Sequence, residues 1–254
     1  MKRRTNIMGR KYRNPPIVEA VCEFRLTPDT PWDLTIPGLF FEKVKSTFTQ
    51  REQRVIQEVE LSQEPQGLQQ QIRTTERILL FTQDKKMLVQ LGPRLLVVNA
   101  LKPYPTWQRF KPLIETAWEG LKSVLEVRGL QRIGLRYINR IELPVPVEFV
   151  GISEYFAFYP FVGPQLPRNM VSFIIGGEFP YKEGRDRCRV QLTPAPDSGD
   201  KSAFMLDIDY FLARSREIEV GKALDWVEEA HSQVEAVFEG CITDVLRKMF
   251  EEVK

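Results

Sequence analysis

The sequence predicts an α+β protein: one long, curved antiparallel sheet with helices on one face, assembled from two pseudo-repeats of a β-α-β-meander-α unit. Three observations carry that expectation. Short segments along most of the chain alternate apolar and polar residues, the period-two pattern of strands with one buried face. Two longer segments, 106–125 and 224–250, place apolar residues at helical spacing. The order strand, helix, meander, helix then occurs twice, in about 125 residues each time. With a basic arm expected to be disordered over residues 1–13, the units divide as 14–129 and 130–254 within a single compact body. The 254 residues suffice for a large core without disulfide staples.

The elements follow in order. Asn14-Pro15-Pro16 marks the start of ordered chain. Residues 17–26 put Val18, Ala20, Cys22, Phe24 and Leu26 on one side and Glu19, Glu23 and Arg25 on the other, as a half-buried strand does. Residues 38–48 have helical spacing. Strands are predicted over 54–61, 68–75, 78–82, 87–92 and 95–100, separated by turn signals at Pro65-Gln66-Gly67, Asp84-Lys85-Lys86 and Gly92-Pro93. The helix over 106–125 has Thr106 as its expected N-cap, a stripe of Phe110, Leu113, Ile114, Ala117, Leu121 and Val124, and Gly129 as its expected terminator.

The second unit opens with a strand over 132–143. A crossover rich in proline and aromatics covers 144–168 and suits either packing on the body or an apolar docking patch. Strands over 170–179, 188–193 and 203–213 follow, with Gly176-Gly177 read as a bulge or turn. A helix over 224–250 closes the unit, with a break expected near Gly240. The TATA-box-binding protein fold has this element order, an analogy of architecture that carries no function.

Composition bounds the function. Net charge is +2, from 36 basic and 34 acidic side chains, which gives no general pull towards polyanions. The three cysteines, Cys22, Cys188 and Cys241, are odd in number, far apart and without a C-x-x-C pair, so a reducing compartment is expected. No apolar run reaches membrane-span length, and the basic N-terminus lacks the apolar stretch of a secretory signal. A cytoplasmic protein is therefore expected. Met8 is an alternative start to Met1 and would shorten the arm. Phosphate-loop and dinucleotide glycine patterns are absent. His231 is the single histidine, with no cysteine or second histidine at zinc-ligand spacing, and it reads as a packed helix residue. No cofactor is expected.

The segment 132–143 carries the most chemistry. Arg132, Arg136 and Arg140 share one face of its strand, and the arginine fork suits carboxylates and phosphates. In a duplicated sheet the first strands of the two units lie side by side, which sets Glu19 and Glu23 beside Arg136 and Arg140. Asp207 and Asp209 form a further acidic pair. The expected result is a lattice of Glu19, Glu23, Arg132, Arg136, Arg140, Asp207 and Asp209 on the open sheet face. It reads as cross-strand salt bridging, as a site for a charged ligand or partner, or, through Asp207 and Asp209, as a weak carboxylate metal site. The arm, with Lys2, Arg3, Arg4, Arg10, Lys11 and Arg13, is the alternative site for nucleic acid.

Several phrases carry a resemblance: Tyr12-x-Asn14-Pro15-Pro16-Ile17-Val18-Glu19-Ala20, Gly92-Pro93 with Val98-Asn99, Arg132-x-Gly134-Leu135-Arg136-Tyr137-Ile138-Asn139-Arg140, and Ile242-Thr243-Asp244. In these the chain resembles a sporadically distributed bacterial family of unknown function and of about this length. The resemblance implies one shared architecture and a bacterial or archaeal origin, and its patchy distribution suits accessory genes of mobile defence or toxin–antitoxin modules. The expected function is a non-catalytic binding or regulatory protein acting through a protein partner or as a homo-oligomer. The alternatives are a nucleic-acid-binding protein and a metal-dependent enzyme using Asp207 and Asp209.

Overall fold

Strand alternation, carried through nine segments, builds one antiparallel sheet. The structure, a computed structural model, describes residues 10–64, 67–143, 149–166, 172–198 and 201–253. Among these, β1 (Lys11–Tyr12) precedes β2 (Ile17–Leu26), α1 (Ile36–Val44), the meander β3 (Gln50–Glu64), β4 (Gly67–Phe81), β5 (Met87–Gly92) and β6 (Leu95–Leu101), and α2 (Trp107–Lys122). Then follow β7 (Leu130–Glu142), a 3-10 turn at Phe149–Glu154, β8 (Ile175–Tyr181), β9 (Asp186–Ser198), β10 (Lys201–Leu212), α3 (Ala223–Cys241), α4 (Asp244–Met249) and β11 (Glu252–Val253). The strand order is β3-β4-β5-β6-β2-β7-β10-β9-β8, with β1 and β11 forming a separate two-stranded ribbon.

The first strands of the two units do lie side by side, β2 against β7, at the middle of the sheet. The strand order is mirrored about that pair, but the content differs. The first half has a four-strand meander and a regular helix after its opening strand. The second has three strands and only the 3-10 turn.

The helices lie on the sheet face that carries the main apolar core, while the other face has a small apolar cluster of Leu79, Phe81, Leu88 and Leu101. On β2, Ala20, Cys22, Phe24 and Leu26 are buried while the intervening residues are partly exposed. Phe24 stacks on Trp118 of α2 at 4.5 Å between ring centroids. α1 packs against α2, α2 against β6, and α3 against β7 and β10. Gly120 sets the α1–α2 crossing: a Cβ there would sit 2.8 Å from Val44 Cγ1, closer than packed carbons allow. All three cysteines are free and buried in this core. Burial pushes the Cys188 and Cys241 thiols up to about 12, so neither supplies a thiolate nucleophile. One carboxylate is fully buried on the same side: Asp186 accepts hydrogen bonds from Arg185 Nη2 (2.6 Å), Trp226 Nε1 (3.0 Å) and Tyr210 Oη (3.2 Å).

Several expectations shift. Gly67–Phe81 form one long strand, β4, where two strands over 68–75 and 78–82 were expected; the turn expected at Pro65-Gln66-Gly67 lies partly outside the described residues, as do Pro144, Pro146 and Met170. α2 stops at Lys122, so Gly129 does not terminate it; Gly129 instead lies against Thr27, which donates its N–H and hydroxyl to the Gly129 carbonyl. Thr106 occupies the N-cap position but makes no capping hydrogen bond. Gly176 and Gly177 sit within β8 in regular register with β9 rather than in a bulge or turn. The last helix breaks between Cys241 and Asp244, close to the expected place. The basic arm is shorter than expected: Arg10 bonds Glu252 (2.9 Å), Lys11 and Tyr12 form β1, and the Arg13 N–H donates to the Glu251 carbonyl. Lys2, Arg3 and Arg4 lie outside the described residues. No helix among the described residues is long and apolar enough to cross a membrane.

Candidate functional site

Two places on the sheet gather polar side chains, one on each face. The open face carries the arginines and acids singled out from sequence, arranged in two transverse rows. In the first, Arg132 Nη1 donates to Glu23 (2.9 Å) and Nη2 to both oxygens of Asp209 (2.9 and 2.8 Å). The guanidinium lies over the Phe211 ring at 4.8 Å and folds across Gly134, where a Cβ would meet Arg132 Nη1 at 2.4 Å. Burial works against its charge, yet Asp209 and Glu23 outweigh that and hold the guanidinium above its ordinary pKa. In the second row Arg136 grips Asp207 with Nε and Nη2 (2.8 and 2.5 Å). Glu19 accepts from Asn99 (2.7 Å), which accepts from Gln90 (2.9 Å).

The register differs from the expected one. Glu23 stands opposite Gly134 and bonds Arg132, not Arg136 or Arg140. Arg140 reaches Glu142 (3.2 Å) and the Pro196 carbonyl (2.7 Å) instead. The arginines Arg132 and Arg136 thus already hold carboxylates in the bidentate or bridging geometry that an anionic ligand would need. Asp207 and Asp209 are the acids so held, and among the described residues no group of three or more His, Cys, Asp or Glu side chains converges as a metal site would.

The covered face holds the second place, a pocket of about 320 Å³ between α2 and α3, over β7. Several stretches of chain build it. The loop after β6 brings Tyr104 and Thr106, and the first turn of α2 brings Trp107 and Gln108. β7 supplies Tyr137 and Asn139, while α3 supplies His231, Val234, Glu235, Phe238 and Glu239, spaced three and four apart along one helix face. The N-terminal segment closes the side, with Tyr12, Pro15, Pro16 and Ile17, together with Val253 of the terminal ribbon. Thr106 has φ 131°, a conformation that a β-branched residue adopts only when its surroundings hold it there. This twist turns the chain from the loop into α2 at the pocket wall.

A chain of polar groups runs through the floor. Tyr104 Oη lies 3.0 Å from Tyr137 Oη, which lies 3.5 Å from His231 Nδ1; His231 Nε2 lies 3.4 Å from Glu235. The imidazole stacks on Trp107 at 4.0 Å between centroids. Burial lowers the His231 pKa to about 4, so the ring is neutral near pH 7. Burial, with the charges of Glu239 and Glu228 adding to it, raises the Glu235 carboxyl above its ordinary value. Glu239 is differently placed. It accepts from Tyr12 Oη (2.6 Å) and Arg247 Nε (2.8 Å) and lies 3.8 Å from Arg10 Nε.

Sequence reading placed Tyr137 and Asn139 in the 132–143 strand and His231 on a packed helix. It did not bring them together, because positions 104, 137 and 231 meet only through the fold. No family model matches the chain, and no curated protein matches it.

Proposed function

We propose that the chain is a non-catalytic binding and regulatory protein whose recognition site is the pocket between α2 and α3. One observation carries this reading. Glu235, a pocket carboxylate raised by burial and like charge, has as its polar neighbour at contact range a neutral imidazole. A concave cavity with several aromatic walls, a few converging polar groups and a perturbed acid is the usual form of a ligand site. His231 is engaged in packing against Trp107, which favours binding over proton transfer. Two of the four phrases on which the bacterial-family resemblance rests meet here: Tyr12, Pro15, Pro16 and Ile17 from one, Tyr137 and Asn139 from the other. Membership of that family, an accessory role in a mobile module and a cytoplasmic location stand as parts of this proposal.

The partner half of the reading draws on the other end of the molecule. The edge strand β8 and the crossover beside it expose Phe161 (88%), Ile174 (76%) and Phe179 (44%), and Phe158 of the crossover lies near Gly177 of β8. An apolar edge of this kind suits a protein neighbour. Nucleic acid is less well supported, since Arg10 and Arg13 face Glu252 and Glu251.

Ligand binding is tested by thermal denaturation against small organic cations, neutral compounds and anions, with Gln108→Trp as the control that adds bulk at the exposed rim of the pocket. The expected outcome is saturable stabilisation by at least one class, abolished in Gln108→Trp. Equal behaviour of the two proteins against every class removes the pocket from consideration.

A further inference from the structure

Resting on the pocket reading, we infer that the ligand is a small organic cation, an ammonium group on an apolar or aromatic body, with Glu235 as its counter-ion. The charges around the cavity decide the sign. Two carboxylates line it. Glu239 is spoken for: Arg247 and the Tyr12 hydroxyl both reach it at hydrogen-bond distance, and Arg10 stands 3.8 Å away. Glu235 has no cation at contact distance among the described residues; its neighbour is His231 Nε2 at 3.4 Å. The nearby acid Glu228 is held by Lys111 (2.8 Å) and by Trp107 Nε1 (3.3 Å), so Lys111 is not free to serve Glu235. Of the two cations lining the cavity, Arg10 bonds Glu252, and Lys11 makes no ion pair with Glu235, its charge acting on that carboxyl only from longer range and more weakly than burial and the neighbouring acids.

The walls point the same way. Tyr12, Tyr104, Trp107, Tyr137 and Phe238 surround the space, and aromatic ring faces attract cations through their quadrupoles. An anion entering here meets two carboxylates and an aromatic wall, and finds opposite charge only in Arg10, already paired with Glu252, and Lys11. A neutral ligand fills the space but leaves Glu235 uncompensated. A cation satisfies the carboxylate and the rings together, in a partly dehydrated site where such contacts are stronger than in water.

Isothermal titration with three compounds of one shape separates the cases: phenethylamine, protonated at pH 7.5; phenethyl alcohol; and 3-phenylpropionate. Phenethylammonium is expected to bind at least tenfold more tightly than either of the others, and Glu235→Gln, which keeps the side-chain shape, to remove about that tenfold while leaving the weak affinity for the alcohol unchanged. Binding of the alcohol or the carboxylate as tight as that of the amine, blocked by Gln108→Trp, overturns the cation assignment and keeps the pocket. Amine binding that Glu235→Gln leaves unaltered also overturns it. Absence of binding by all three up to millimolar concentration overturns both this assignment and the pocket reading.

Discussion

The two faces of the sheet handle charge by opposite means. On the open face the strand alternation sets arginines and acids side by side, and they neutralise one another across β2, β7 and β10 while staying in reach of water. On the covered face polar groups are few and mostly shielded from water, with Glu235 more open at 40% exposure. Asp186 is fully buried with three donors, Glu239 is held by Arg247 and Tyr12, and Glu235 lacks such company. The comparison teaches that the density of charge is a poor guide to a site. The crowded lattice is internally satisfied, whereas the sparse face carries the group whose environment calls for an outside partner.

If that contrast is right, substitutions on the covered face have the larger effects. Asp186→Ala leaves Arg185, Tyr210 and the Trp226 N–H without their shared acceptor, and urea denaturation should show a loss of about 3–5 kcal/mol. A loss below that of a surface pair would break the comparison at its strongest point.

Next in size is the pH response of His231, which Trp107, Tyr137, Glu228, Glu235 and, at longer range, Lys111 surround. The unfolded chain takes up a proton near 6.5, the folded chain only near 4. Stability contributed by the neutral ring is therefore present above pH 6.5 and lost as pH falls towards 4, by roughly 3 kcal/mol in all. Glu235 acts in the opposite sense, since its raised carboxyl holds a proton more readily folded than unfolded. Comparing wild type with His231→Gln across pH 4–7 isolates the histidine, and the variant should show the flatter profile.

On the open face the effects should shrink with exposure. Arg132, 27% exposed and bridging two acids, should cost about 2 kcal/mol on replacement by Ala, between the limits for exposed and buried pairs. Arg136, at 46% exposure, should cost about 0.5 kcal/mol, and the difference should fade in ~1 M salt. A salt-insensitive loss at Arg136 as large as that at Arg132 would show that the lattice is not simply a solvated network.

Much of the sheet was legible in the sequence because period-two alternation survives in each strand: Ala20 to Leu26 and Ile133 to Ile141 read directly as buried faces. The adjacency of β2 and β7 followed from element order. The register did not, since a shift by two residues along two alternating strands keeps every residue on its face while changing which acid meets which arginine; hence Glu23 reaches Arg132 and not Arg136. Helix ends were misplaced where glycine served another purpose, as at Gly129, which accepts from Thr27. The pocket was illegible for a different reason. His231 read as a packed helix residue and Tyr104 and Trp107 carried no signal of a site, and only long-range packing of α2 beside α3 turns them into a wall.

The two-residue ribbon of β1 and β11 gives the pocket an unequal enclosure. Its other walls belong to the nine-stranded sheet and two long helices, which open only with global unfolding, whereas so short a ribbon, edged by Arg10–Glu252 and the Arg13–Glu251 backbone bond, sits at the low end of local stability. The ribbon should therefore be the wall that yields first beside the exposed rim at Gln108, and residence time should depend on it separately from the contacts that set selectivity. Arg10→Ala should raise the dissociation rate several-fold with the order of preference among ligands intact, and the amides of residues 12 to 14 should exchange with deuterium long before those of β7.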